Sequence, residues 1–338
     1  MKHLIWIVSL LLLLVSCEKM FMDADPDTDP ETIFDEVWTF ADRHYSFFEE
    51  KGVDWDEKYE QYRQEIYPDM GSVELFDVCA DMLHELRDGH VNLSSSFDRS
   101  RSWEWYLNSP ENFYYSIIER NYFEGRQRYV GPLQFVVLDD NIAYVYYGSF
   151  ANTIGKSHLD LIINNLEDTA GLIIDVRNNG GGSTDNARKL VSRFIEEEQF
   201  VGTSYIKNGP GHEDFKTREV HVEPHDGIRY DGHVVVLTNR KSYSATNYFA
   251  QYMKALDNVT LVGDTTGGGG GIPAFWELPN SWRLRVSSSR FLSPEGQSIE
   301  SGVPPDIYAE MNTEGDSLSL QKDDILEKGM DLLRDNAR

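Results

Sequence analysis

The sequence predicts a layered α/β (mixed α+β) fold with a small helical domain in front of it, and three observations predict this. From residue 136 onward, β-branched and aromatic runs ("FVVLDDNIAYVYYG", "GLIIDVR", "HVVVLTN") alternate with amphipathic stretches ("DNARKLVSRFIEEE", "ATNYFAQYMKAL"), the pattern of strands interleaved with helices. Between residues 30 and 90 the apolar residues recur at helical spacing instead. Finally, 338 residues exceed the usual size of one domain.

In chain order, "MKHLIWIVSLLLLLVSC" has a short basic start, an apolar stretch too short to span a bilayer comfortably, and a small residue before Cys17. Residues 1–16 read as a secretory signal, and "LVSC" resembles a bacterial lipobox, in which cleavage precedes a cysteine that takes up diacylglycerol. The expected product is a lipoprotein of the bacterial cell envelope, held to the outer membrane through Cys17 on its periplasmic face or at the cell surface. An uncleaved membrane anchor is the alternative. Residues 17–29 are acidic and broken by proline, too poor in apolar surface to fold, and read as a flexible stalk.

Residues 30–100 read as the helical domain. Asp29 is placed to cap and Pro30 suits the first turn, while Ile33, Phe34, Val37, Phe40, Ala41 and Phe48 trace one face. A second helix spans 72–86 and carries Cys79 on its apolar side, so that thiol reads as core. Residues 101–135 are rich in aromatic residues without clear periodicity and stay unassigned. Residues 136–315 form the α/β core, and 316–338 close the chain as a helix. The balance of 31 basic against 57 acidic residues, net −26, repels phosphate backbones and makes nucleic acid a poor partner.

Three stretches carry candidate chemistry. "GLIIDVRNNGGGSTDNARKL" runs strand, glycine turn, helix, which leaves backbone N–H groups pointing outward for a phosphate or for a developing oxyanion. It is neither G-x-G-x-x-G nor a Walker loop. "NRKSYSATNYFA" places Ser242 and Ser244 where a strand turns into a helix, so either is a cap or an exposed nucleophile. "LHELRDGHVNLSSS" leaves His90 in a loop, where a histidine is ordinarily just solvated. His221 and His225 have i,i+4 spacing, but Pro224 argues against the helix that would join them at a metal. Asp175 and Arg177 read as a structural pair, and "TTGGGGGIPAFWELP" as a mobile flap or a flexible solvent loop.

Together, "IIDVRNNGGG", "SYSATNYFA" and "IESGVPPDI" resemble, in order, three motifs of the C-terminal processing (tail-specific) serine peptidases. The resemblance implies a ClpP/crotonase-like layered core, Ser244 as nucleophile with Ser242 a turn residue, and an oxyanion hole from Ala245 with Gly180 or Gly181. It implies a peptide or protein substrate and no cofactor. Tail-specific enzymes use a lysine base; here Gly269 stands in its place, and Lys241 reads as a surface residue. The tricorn-core branch uses a histidine and a glutamate, which correspond to His90 and Glu300. Its serine before the histidine is Gly89 here, so Asp88 is the alternative partner for the ring. No PDZ module is expected, since residues 94–137 are fewer than the eighty or so such a module needs. The expected function is a lipid-anchored serine peptidase; the alternative is an inactive relative that binds a peptide or an apolar ligand.

Overall fold

A computed structural model of the protein describes residues 27–312 and 321–336. The expected leader, Cys17 and most of the stalk lie outside the described residues, as do residues 313–320, where the expected core passes into the closing helix.

Four helices come first: α1 (Pro30–His44), α2 (Phe48–Lys51), α3 (Trp55–Arg63) and α4 (Ser72–His84). Asp29 accepts from the N–H groups of Glu31 and Thr32, and Pro30 opens the first turn of α1, which satisfies two otherwise orphaned donors. The apolar faces meet in one core that includes Cys79. Burial pushes that thiol up to about 12, so it stays protonated.

Next come β1 (Asn92–Ser94), α5 (Glu104–Leu107) and α6 (Tyr115–Ile118), which runs into a π-helical turn at Glu119–Phe123. Strands β2 (Arg128–Val130) and β3 (Leu133–Val137) follow. These are the elements of the aromatic segment. None exceeds five residues, too few for a period to be legible in sequence.

The layered part continues with β4 (Ile142–Tyr146), α7 (Lys156–Ile163), β5 (Gly171–Asp175) and α8 (Thr184–Val191). Then come β6 (Gln199–Lys207), β7 (Phe215–Val222), β8 (Val234–Thr238), α9 (Ala245–Lys254) and β9 (Val259–Gly263). The remainder is β10 (Pro273–Glu277), β11 (Arg283–Ser287), β12 (Ser289–Leu292), β13 (Ile307–Tyr308) and α10 (Asp324–Asn336).

The main sheet has seven strands in the order β13-β9-β8-β5-β4-β3-β2. Its β4, β5, β8, β9 and β13 are parallel, and β2 and β3 add an antiparallel edge. Because both faces are covered, successive residues of one strand serve different cores. Leu172 and Ile174 pack with α7, α8 and α9, whereas Ile173 packs with α6 and α10. A small sheet, β12-β6-β7, lies beyond.

Two features depart from the expected partition. The sheet begins at β2, ahead of the expected boundary at residue 136. In addition, β10 and β11 leave the core region and pair with β1 in a third sheet, β1-β11-β10. Leu284 and Val286 of β11 are fully buried among the N-terminal helices, each worth about 1.5–3 kcal/mol of apolar burial. That sheet ties the two parts of the chain together, and the His90 loop just ahead of β1 meets Ser244 past the C-terminal end of β8, an interior strand of the main sheet.

Candidate active site

Ser244 lies between β8 and α9 with φ 59° and ψ −120°. This is a strained conformation for a residue with a side chain, of order 1–3 kcal/mol, and it persists only where the surroundings impose it. Several bonds do so. The Ser244 N–H donates to the Gly268 carbonyl (2.9 Å), the Tyr243 N–H to Asn179 (3.0 Å), and the Gly267 N–H to Ser242 (2.8 Å). Ser242 is buried, donating to the Val176 carbonyl (2.9 Å) and accepting from the Asn239 N–H (3.1 Å). Ser242 is therefore engaged as the collar of the turn, and the Ser244 hydroxyl stands free of it.

The glycine turn after β5 lies against this elbow. A Cβ on Gly181, whose φ is +98°, would come within 2.7 Å of the Ser244 Cβ, so only glycine permits the approach. The Gly181 N–H is taken by the Asn179 Oδ1 (3.0 Å). That corrects its expected place in the oxyanion hole, for a donor already spent inside the turn is not free for a substrate. The N–H groups of Gly180 and Ala245 have no acceptor among the described residues. Ala245 is also the first residue of α9, where the helix dipole favours negative charge.

His90 is buried, and its Nε2 lies 3.0 Å from the Ser244 Oγ. For Nε2 to accept the serine proton, Nδ1 must carry the ring hydrogen. Nδ1 is buried and completes no hydrogen bond of standard geometry among the described residues, the Gly271 backbone being the hydrogen-bonding group that acts on the ring. Burial drives the imidazole pKa down to about 4; the Asp88 charge and the Gly271 backbone oppose this, while Arg285 and Lys51 add to it. The ring is neutral and ready to accept a proton well below pH 6.5.

Neither expected carboxylate reaches Nδ1. Glu300 accepts from Lys51 Nζ (2.8 Å) and from the Gly270 N–H (2.8 Å). Asp88 accepts from the His90 backbone N–H (2.7 Å) and from Ser287 Oγ (2.8 Å), so it fixes the loop that carries the ring. Of the arrangements left open for these two carboxylates, a direct bond to the ring is not the one formed: both have other partners. Burial, then the Asp88 charge, push the Glu300 carboxyl up. Burial opposes the Lys51 charge, but Asp88 and Glu300 outweigh it and hold the ammonium above its usual value. Glu300 and Lys51 thus both hold their protons more tightly than usual beside the charge of Asp88.

Comparison with known families decides the kinship. The profile of peptidase family S41 matches residues 141–309, half of the chain and all of the elbow, glycine turn and Glu300 region. The chain belongs to peptidase family S41. A second profile, the tricorn protease C1 domain, matches residues 26–84. A crystal structure of a protein assigned as a peptidase, from Parabacteroides merdae, is 42% identical with a TM-score of 0.86, covering 91% of this chain and 97% of that one. The carboxy-terminal processing protease CtpA of Bacillus subtilis is 28% identical over 176 residues, 51% of this chain and 36% of the relative. This chain thus spans about a third of the length of the curated relatives it matches. The tricorn protease crystal structure shares the fold, at 16% identity and a TM-score of 0.56, over 92% of this chain and 37% of that one.

Within this S41 chain, Tyr243 accounts for both departures from the family patterns. A Cβ on Gly269 would meet the Tyr243 ring at 2.5 Å, and one on Gly89 would meet its hydroxyl at 2.9 Å and Trp105 at 3.2 Å. The tyrosine stacks on Trp105 and tilts against His90, with ring centroids 4.8 Å apart in both cases. It fills the space a lysine at 269 or a serine at 89 would need. Lys241, expected as a surface residue, is half-buried. It pairs with Glu111 (2.8 Å) and lies over the Tyr106 ring.

Other expectations divide. Asp175 and Arg177 do form a buried structural pair. In the stretch expected as a flap or flexible loop, Gly268 to Gly271 are buried against Tyr243, Glu300 and Ser287, while Gly267 is half-buried against Trp105. Sequence reasoning missed Lys51, Trp105, Tyr243 and Ser287. Tyr243 was in view between the two serines, but no local pattern says which way it turns.

Proposed function

We propose that this S41 chain is a serine peptidase in which Ser244 is the nucleophile and His90 its general base. The 3.0 Å contact between His90 Nε2 and Ser244 Oγ carries this reading, because it joins residues 154 positions apart that neither helix nor sheet pairing requires to meet. Nε2 takes the hydroxyl proton as Oγ attacks a peptide carbonyl. The oxyanion that forms is held by the N–H groups of Gly180 and Ala245. The imidazolium then returns the proton to the departing amine, and water, activated by the same ring, hydrolyses the acyl-enzyme. The charge of Asp88 favours the transient imidazolium, and Glu300, held by Lys51, acts as a positioning residue through the Gly270 N–H, in the glycine run beside the ring. The substrate is a peptide or protein.

The pH profile tests the base. His90 works when neutral, and its folded value lies below the ordinary one. Activity is therefore present above that value and lost as pH falls through it. Labelling of Ser244 by a fluorophosphonate should stay level from pH 8 to 5 and fall by half near pH 4. Circular dichroism over the same range controls for unfolding. A midpoint near 6.5 would mean a solvated imidazole; no labelling at any pH would favour the inactive, ligand-binding alternative.

The chain is further proposed to be an envelope lipoprotein anchored through Cys17, supported by the sequence around that cysteine. Expressed in a bacterium, the full chain should fractionate with the outer membrane, and Cys17→Ala should move it to the soluble fraction. Soluble recovery of the unaltered chain would refute the anchor.

A further inference from the structure

Beside His90 lies an open groove of about 620 Å³, distinct from the elbow and the glycine turn. Its floor is one face of the β1-β11-β10 sheet. Alternation along β11 sends Leu284 and Val286 into the core and turns Arg283, Arg285 and Ser287 to the other side. The strand pairing sets Asn92 and Phe275 on either side of Arg285, and Ser94 and Glu277 on either side of Arg283. The row starts at the catalytic end: Ser287 holds the Asp88 that fixes the His90 loop, and Arg285 donates to Asn92, two residues beyond His90 (3.2 Å).

The charge of this groove is opposite to that of the chain. Arg99, Arg283 and Arg285 all line it, although acidic residues outnumber basic ones by 57 to 31 overall. None of the three forms an ion pair among the described residues, and the one carboxylate of the lining, Glu277, bridges to none of them. Arg285 is half-buried, with its Nε enclosed and unpartnered. Burial, with Arg99 nearby, pulls the guanidinium below its ordinary value, so a carboxylate brought beside it replaces solvation already lost. The exposed Phe275, under the Arg285 guanidinium, supplies an apolar wall.

We propose that this groove is the specificity site of the peptidase and binds an extended, acidic stretch of the substrate through Arg283 and Arg285. Same-face residues two apart on a strand are spaced by about 6.6 Å. An extended peptide repeats its side chains at the same interval, so the matching pattern is two acidic residues separated by one. The inference deepens the peptidase reading and rests on it.

The experiment uses the full chain carrying Ser244→Ala, so that binding is read without cleavage. Fluorescently labelled, amide-capped peptides containing Glu-x-Glu or Gln-x-Gln are titrated by anisotropy, together with a Gln-x-Gln peptide bearing a free C-terminal carboxylate. The Glu-x-Glu peptide should bind about tenfold or more tightly than its capped neutral counterpart, and added salt should erode the difference. Arg283→Gln, a change at an exposed position, should bring the preference close to one. Equal binding of acidic and neutral peptides overturns the proposal, as does a preference that Arg283→Gln leaves intact or one shown only by the free terminal carboxylate. Failure of the peptidase reading shows separately, as absence of fluorophosphonate label on the unaltered chain.

Discussion

Ser244→Ala is expected to lower kcat for peptide hydrolysis by about 10⁵- to 10⁶-fold, roughly 7–8 kcal/mol of transition-state stabilisation. The size of the effect follows from the geometry. The hydroxyl faces His90 at 3.0 Å at the head of α9, and Ser242, the other serine of the turn, is buried and committed to Val176 and Asn239. Ser242 is therefore not placed to take over the attack. The same change should leave the fold within about 1 kcal/mol of the parent, because the bonds that hold the elbow run through the backbone of residues 242–244 and through Ser242. Steady-state hydrolysis of a peptide mixture and an unfolding curve decide the matter together. Retained turnover in a folded variant would remove Ser244 from the mechanism, and loss of turnover with loss of folding would be shown by the unfolding curve.

A comparably large effect, on stability, is expected at Arg177. Its guanidinium is fully buried, bonded to Asp175 (2.6 Å) and Asp323 (2.8 Å) and stacked on Phe113. Tyr144 also donates to Asp175 (2.8 Å). Burial alone would weaken the Arg177 charge, but the two carboxylates outweigh it and hold its value well above the ordinary one. Asp323, enclosed and with one oxygen unpartnered among the described residues, is pushed up by burial. Arg177→Met would leave two carboxylates facing one another without a cation, at a cost of about 3–5 kcal/mol. The exposed pair Arg188–Asp185 is the comparison, and Arg188→Met should cost no more than about 1 kcal/mol. Urea midpoints measure both. Equal effects would mean that the buried triad contributes no more than a surface pair. The network spans the chain, since Asp323 stands just ahead of α10 while Asp175 ends β5 and Arg177 leads into the glycine turn.

Much of the fold is readable locally. The unbroken apolar run of β5 signals a strand covered on both faces, and both faces are covered. The Asp29–Pro30 start of α1 and the core position of Cys79 follow from capping and helical spacing. The division between Ser242 and Ser244 was also legible, though only with the family motif beside it. The aromatic segment was not, because elements of three to five residues hold too few repeats for a period to show.

The amino-acid sequence by itself determined the layered class, the order of strands and helices, the acidic surface and the strand-to-helix turn that holds the two serines. Each depends on neighbours within a turn or two, where propensity, capping and periodicity act. The tertiary structure alone decided which distant groups meet: His90 with Ser244, Lys51 with Glu300 across 249 positions, and Tyr243 in the space that a lysine or serine would otherwise occupy. It also drew β10 and β11 away from the catalytic core to floor a basic groove. The reason is that such encounters are set by how whole faces pack and by which buried charges must find partners, and neither leaves a mark in the spacing of residues along the chain.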